Sequence, residues 1–327
     1  MKLVDMIRSK PGVLAAPLVG YPTVAYIGGM VEKALKNADV QVRALTAYYK
    51  DARPDVIFPF MDLSVEAEAL DLPIRFKADD SPDVTEHPLH SVDDLEGYSV
   101  PPVPGSGRYA VFLDTIRQLK EETEAIVGGY VASPFSLAGL LMSAETLVMN
   151  TMLEPEFCHT ALEFCTTVTL SYALAQEEAG ADLIVLLEPT ASLLSPELYE
   201  KFVGEYVQRV TEGVSVPVIL HVCGRTTNLI PSFVKNDVQG LSLDSDVDLS
   251  QLDGRIPEDV AIIGNVSPVD VMLNEDAVGV HRGTTGLLEA MDGRRNFIAS
   301  TGCDVPPATP TENLAAFVQA VRDYNQR

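Results

Sequence analysis

The sequence predicts a (β/α)8 barrel, and three observations carry that prediction. Eight short apolar segments, rich in β-branched residues, recur along the 327-residue chain, each followed by a helical pattern or by a loop and a helix. Strands that are apolar on both faces belong to parallel sheets covered by helices. Polar residues stand where these segments end, at Asp62, Ser133, Glu188, His221, Asp244 and Asn265, and that is the face on which barrels build active sites. Eight such units close into a barrel rather than an open doubly wound sheet. No G-x-G-x-x-G follows the first strand, so a dinucleotide fold loses its main support.

The elements follow in order. Residues 2–8 read as a short helix. Gly12–Val19 is the first strand, and helical patterning runs from there to about Tyr49. Val56–Met61 is the second strand, ending at Asp62, with a short helix over Leu63–Ala69. Residues 72–107 change character: Pro73, Pro82, Pro88, Pro101, Pro102 and Pro104 lie among acidic residues. A loop of this length inside a compact domain is either functional or mobile, and it reads as an excursion from one barrel domain spanning 1–327. Helix 109–123 leads to the third strand, Ala125–Val131. Helix Glu154–Ala179 leads to the fourth, Ala181–Leu187, ended by Glu188. Helix Pro196–Val210 leads to the fifth, Val216–Leu220, followed by a helix capped by Thr226 or Thr227 and reaching about Val234. The sixth strand is Gly240–Leu243, the seventh Ala261–Gly264 and the eighth Phe297–Ser300. Asp276–Met291 and Thr311–Tyr324 are the last helices.

The composition narrows the partners. Forty-seven acidic residues against 23 basic give a net charge of −24. Nucleic-acid binding rests on cationic contacts to phosphate, and anionic membranes attract basic segments, so neither partner is expected. High solubility is the simplest account of the charge; a salt-rich cytosol or a basic protein partner also suits it. Four cysteines are too few and too scattered for a disulfide framework. No apolar run approaches the ~20 residues of a membrane span, and the first residues lack a secretory pattern. The expectation is a cytoplasmic protein whose thiols are free or metal-bound.

The chemistry gathers at Val216-Pro-Val-Ile-Leu-His-Val-Cys-Gly224. His221 and Cys223 are two apart, so in an extended chain both leave the same face. Cys303, in Ala299-Ser-Thr-Gly-Cys-Asp304, follows the eighth strand and offers a third ligand. Strands five and eight are not neighbours in a barrel, but their loops can lean over one mouth. Two thiolates and an imidazole select zinc over magnesium or calcium. Three protein ligands leave a fourth position open, the mark of catalytic zinc. A thiol placed there is held as thiolate at neutral pH, a nucleophile toward an activated methyl group. Glu188 and Asp244 can act as partners of the ligands, as a fourth ligand, or simply as polar residues of the mouth. Asn265 and Asp62 can orient substrate or merely end their strands. Cys158 and Cys165, seven apart on one helix face, read as core packing; His87, His90, His159 and His281 have no partner at ligand spacing and read as surface or capping residues.

These residues also resemble a known family. His221-Val-Cys-Gly224 with Thr226-Thr227, Gly264-Asn-Val-Ser-Pro268, and Ser300-Thr-Gly-Cys-Asp-Val-Pro-Pro307 before Thr309-Pro-Thr-Glu-Asn313 look like the uroporphyrinogen decarboxylase superfamily, and within it the methylcobamide:coenzyme M methyltransferase branch. Pro134-Phe-Ser-Leu-Ala138 and Val65-Glu-Ala-Glu-Ala69 are similar to earlier motifs of that branch. The resemblance implies zinc on His221, Cys223 and Cys303, and methyl transfer from a methylated corrinoid to a zinc-bound thiol such as coenzyme M. Two departures matter. The decarboxylases carry propionate-binding arginines near the first strand, and Gly12–Gly29 has none. The chain also lacks D-x-H-x-x-G, the usual corrinoid-holding signature, so the donor is expected to be a separate corrinoid protein or free methylcobalamin. The rival expectations are a zinc enzyme passing a substrate methyl to a corrinoid protein, a decarboxylase-like enzyme, and a binding adaptor on a reused barrel.

Overall fold

The computed structural model describes residues 2–327. Eight parallel strands form the barrel: β1 (Leu14–Ala15), β2 (Val56–Ile57), β3 (Ile126–Ala132), β4 (Leu183–Leu187), β5 (Val218–Val222), β6 (Gly240–Leu243), β7 (Ala261–Val266) and β8 (Phe297–Thr301). The order is β1-β8-β7-β6-β5-β4-β3-β2. Between β1 and β2 the ring is closed by two hydrogen bonds rather than by a ladder. Asp55 N–H donates to the Ala15 carbonyl at 2.9 Å, and the Asp55 carboxylate accepts from Ala15 N–H at 2.8 Å. The fold is therefore a (β/α)8 barrel.

β1 and β2 are much shorter than the segments 12–19 and 56–61 read as strands. Pro17 and Pro59 follow each pair closely, and a proline has no N–H to give to a ladder. The helix expected to reach Val234 from Thr226 is only Ile230–Phe233; Thr226 does not cap it, and its buried hydroxyl has no hydrogen-bond partner among the described residues. Among the helices that escaped the sequence reading are Pro134–Met142 and Ala144–Leu153. In the first, eight of nine residues are buried, so it shows no amphipathic stripe. The Pro-rich segment contains an antiparallel hairpin, Ile74–Lys77 with Asp80–Val84, where no strands were expected.

Inside the ring lies an apolar plug. Leu14, Ala16, Leu18, Val56, Phe58, Leu183, Val185, Ile219, Ala261, Ile263 and Ile298 meet there, and Leu3, Val4, Met6 and Ile7 of the N-terminal helix Leu3–Arg8 belong to the same cluster. That helix stops the barrel at the end where the strands begin, and the void left within is only 20 Å³, about the space of one water. The larger core lies outside the ring, between strands and helices. The residues at which the strands finish, Val222 and Thr301 among them, lie toward the opposite end. Among the described residues no single helix is long and apolar enough to cross a membrane.

Candidate metal centre at the barrel mouth

Strand parity places the first two candidate ligands. Ile219, His221 and Cys223 alternate with Leu220 and Val222, so the face that fills the plug at Ile219 carries the imidazole and thiol at the mouth. Gly224, at φ +81, turns the chain directly after Cys223, a left-handed conformation that glycine adopts without strain. Its N–H donates to Asp244 Oδ2 at 2.9 Å, pinning the β5 loop to the β6 loop.

Cys303 reaches the same point because the β8 loop leans inward. Gly302 lies flush on the β6 loop, and a Cβ there would collide with the backbone nitrogen of Ser245. The three donor atoms then converge. Cys223 Sγ is 3.3 Å from His221 Nε2 and 3.3 Å from Cys303 Sγ, and Cys303 Sγ is 3.7 Å from His221 Nε2. A tetrahedral zinc with bonds of about 2.3 Å to sulfur and 2.0–2.1 Å to nitrogen sets ligand separations of about 3.5–3.8 Å. A disulfide would need about 2.05 Å. The triad fits a metal and not a disulfide. Cys303 is held above the ordinary thiol range, first by its hydrogen bond with Cys223 and then by burial.

A partner outside the expected set orients the imidazole. His221 Nδ1 lies 2.9 Å from Ser242 Oγ on β6, directly across the ladder. Metal-bound histidines characteristically engage their other nitrogen in this way. The sequence signal was a serine inside the apolar strand Gly240-Leu-Ser-Leu243.

The other mouth residues lie apart from the triad. The grouping of mutually close ligand atoms contains His221, Cys223 and Cys303 only, among the described residues. Asp244 spends its carboxylate on Gly224 N–H and on Asp246 N–H at 3.0 Å. Asn265 donates to the carbonyls of Asp244 and Val247 at 2.8 and 2.6 Å, fastening the β6 loop to β7. Glu188, fully buried, accepts from the Ser136 hydroxyl and from Ser136 N–H at 3.3 Å, near the start of helix Pro134–Met142. Burial raises its pKa to about 7, with the Ser136 hydrogen bonds opposing. Asp62 pairs with Arg108 at 2.6 Å and accepts from Ser64 N–H at 2.8 Å and Ser64 Oγ at 2.6 Å. Cys158 and Cys165 are buried in the outer core. Of the remaining histidines, His159 stacks on Phe202 and meets the Tyr206 hydroxyl at 2.8 Å.

A parallel barrel with an imidazole and two sulfurs converging where its strands end defines a class: a barrel enzyme scaffold that carries a candidate soft-metal site at its mouth. The comparisons narrow it. The family model described as uroporphyrinogen decarboxylase (URO-D) matches residues 22–324, and the chain belongs to that family. A methylcobamide:CoM methyltransferase (MtbA) of Methanosarcina acetivorans is 32% identical over 279 residues, 81% of this chain and 78% of the relative. A methylated-thiol–coenzyme M methyltransferase of Methanosarcina mazei is 28% identical, covering 89% and 78% of the two chains. A uroporphyrinogen decarboxylase of Coxiella burnetii is 28% identical, covering 83% and 78%. Among solved structures, a methyltransferase from Methanosarcina mazei superposes with a TM-score of 0.89 over 98% of this chain and 97% of that one, at 24% identity.

Proposed function

We propose that this chain is a zinc-dependent methyltransferase that moves a methyl group from a methylated corrinoid to a thiol such as coenzyme M. The observation that carries the reading is the convergence of His221, Cys223 and Cys303, whose donor atoms lie 3.3–3.7 Å apart, within a few tenths of an ångström of tetrahedral zinc separations. The methylcobamide:CoM methyltransferases among the relatives give the reaction class.

Zinc, when bound, supplies a Lewis acid that keeps a thiol deprotonated at neutral pH. The chain's own residues do the rest. His221, Cys223 and Cys303 fix where the acceptor sulfur sits, and Ser242 fixes the imidazole plane. Asp244, Asn265 and Gly302 hold the three loops in register. The apolar plug closes the barrel from below, so acceptor and donor share the single open face. There the acceptor sulfur forms the S–CH3 bond while the Co–CH3 bond breaks. Both electrons of that bond stay on cobalt, taking Co(III) to Co(I), and no proton is delivered in the step. Catalysis then rests on activating the thiol and aligning it with the methyl carbon. The donor corrinoid sits on a separate protein or is free methylcobalamin.

Methylcobalamin mixed with the protein and a thiol tests this, read as the rise of cob(I)alamin absorbance. Wild type should turn over. Cys223→Ala and Cys303→Ala should lose both bound zinc and thiol-dependent demethylation. Full activity in a zinc-free variant would end the proposal.

A further inference from the structure

Five large apolar side chains are more than half exposed among the described residues, and four of them stand on two elements packed against helix Pro134–Met142. Met149, Met152 and Leu153 share one face of helix Ala144–Leu153 at i, i+3 and i+4, while Leu147 and Thr151 bury the opposite face. Leu193 ends the turn Pro189–Leu193 that follows β4. The two elements meet at Gly139, where a Cβ would touch both Thr190, at 3.4 Å, and Ala144, at 3.6 Å. The turn also reaches the metal centre. Ser192 lies 3.9 Å from where a Cβ on Gly224 would stand, and Gly224 follows Cys223. Helix Ala144–Leu153 joins the end of β3 to helix Pro155–Glu178, which puts it on the mouth side of the barrel.

The charge along this part of the chain has one sign. Residues 121–200 hold 13 Asp and Glu and no Lys or Arg, and Glu145, Glu154, Glu156 and Glu197 are exposed. A symmetric dimer through this face would set those carboxylates against their own copies, and an anionic membrane would repel them. Exposed apolar side chains in a group mark an interaction site, and an apolar centre with an acidic border fits a protein whose own apolar face is bordered by Lys and Arg. We infer that helix Ala144–Leu153 and the β4 turn are the docking surface for the protein that carries the methylcorrinoid, engaged through Met149, Met152, Leu153 and Leu193 and oriented by basic residues of the carrier. This rests on the methyl-transfer reading above and selects, of its two donors, the corrinoid held on a protein. A carrier seated there stands beside the mouth at which Cys223 and Cys303 converge. Free methylcobalamin has no protein face and needs none of these side chains.

Two donors are compared on the full, metal-loaded chain with 2-mercaptoethanesulfonate as acceptor. One is free methylcobalamin; the other is a corrinoid protein purified from the same cells by its absorbance and methylated at Co(I) with methyl iodide. Met149→Ser combined with Met152→Ser should lower kcat/KM for the protein-bound donor about tenfold or more, the loss of one interface anchor, and leave free methylcobalamin unaffected. Leu193→Ser should act in the same direction. Glu154→Lys combined with Glu156→Lys should slow transfer from the protein-bound donor alone, and added salt should do the same to wild type. Equal loss with both donors, or loss with neither, overturns the inference. So does a wild type that takes methyl only from free methylcobalamin, which leaves the methyltransferase reading intact. A wild-type dimer in sedimentation that the two serines split, with protein-bound transfer unchanged, gives the surface to a second copy and also overturns it. If wild type demethylates neither donor, both readings fall together.

Discussion

Two polar clusters stand at the same end of the barrel and do opposite things with their atoms. Above β2, Asp62, Arg108, Glu68 and Ser64 form a buried ionic cluster that satisfies itself. Arg108 bonds Asp62, Glu68, the Ser64 hydroxyl and the Leu35 carbonyl, and its guanidinium lies over the Phe76 ring of the hairpin at 4.7 Å. Across the mouth, His221, Cys223 and Cys303 turn their donors toward one another, and Asp304 keeps an oxygen unpaired. A cluster whose lone pairs and protons are all spent inside the chain holds structure together. A cluster of donors converging on one point is the arrangement a cation or a ligand would complete. Asp62, Glu188, Asp244 and Asn265 all fall on the first side of that line.

The largest effect separating the two should come from Arg108→Ala. It leaves the buried Asp62 carboxylate uncompensated and should cost about 3–5 kcal/mol of stability by denaturant titration, while the folded fraction keeps its metal. Loss of metal with unchanged stability would reverse the assignment. Next, Ser242→Ala should leave stability nearly unchanged but weaken metal affinity by about 10–100-fold, the usual range for a group orienting a ligand histidine; competition against a chromophoric chelator measures it. An unchanged affinity would make Ser242 a bystander.

A third test is spread over pH and concerns Glu66, a scaffold carboxyl that accepts from Ala132 N–H at 2.6 Å and whose pKa burial raises to about 8. Below about pH 4.5 it is protonated in both folded and unfolded chains. As pH rises toward 8 the unfolded chain gives up its proton first, so this group's contribution to stability is progressively lost, by about 1.4 kcal/mol per pH unit. Glu66→Gln should flatten the stability profile across that window by about that slope, with no change in metal content. An unaltered profile would contradict the buried assignment.

The contrast also explains what could be read in advance. His221 and Cys223 were legible because strand parity alone aims them together, and Cys303 because a third soft donor ended another strand. The geometry that joins them was not legible: Gly302 owes its place to a collision with Ser245, which only the folded loops reveal. Asp304 was visible only as part of a motif, since an unpaired oxygen is a property of surroundings. Eight strands were read from apolar runs, but the ends of β1 and β2 were set by Pro17 and Pro59. Helix Pro134–Met142 was invisible to periodicity because it is buried almost all round.

X-ray absorption at the zinc edge of the purified chain, before and after adding an acceptor thiol, tests the centre most directly. The account predicts two sulfurs at about 2.3 Å with a nitrogen at about 2.0–2.1 Å, and a third sulfur once thiol is present. A four-ligand protein shell that thiol leaves unchanged, or no bound zinc at all, would contradict it.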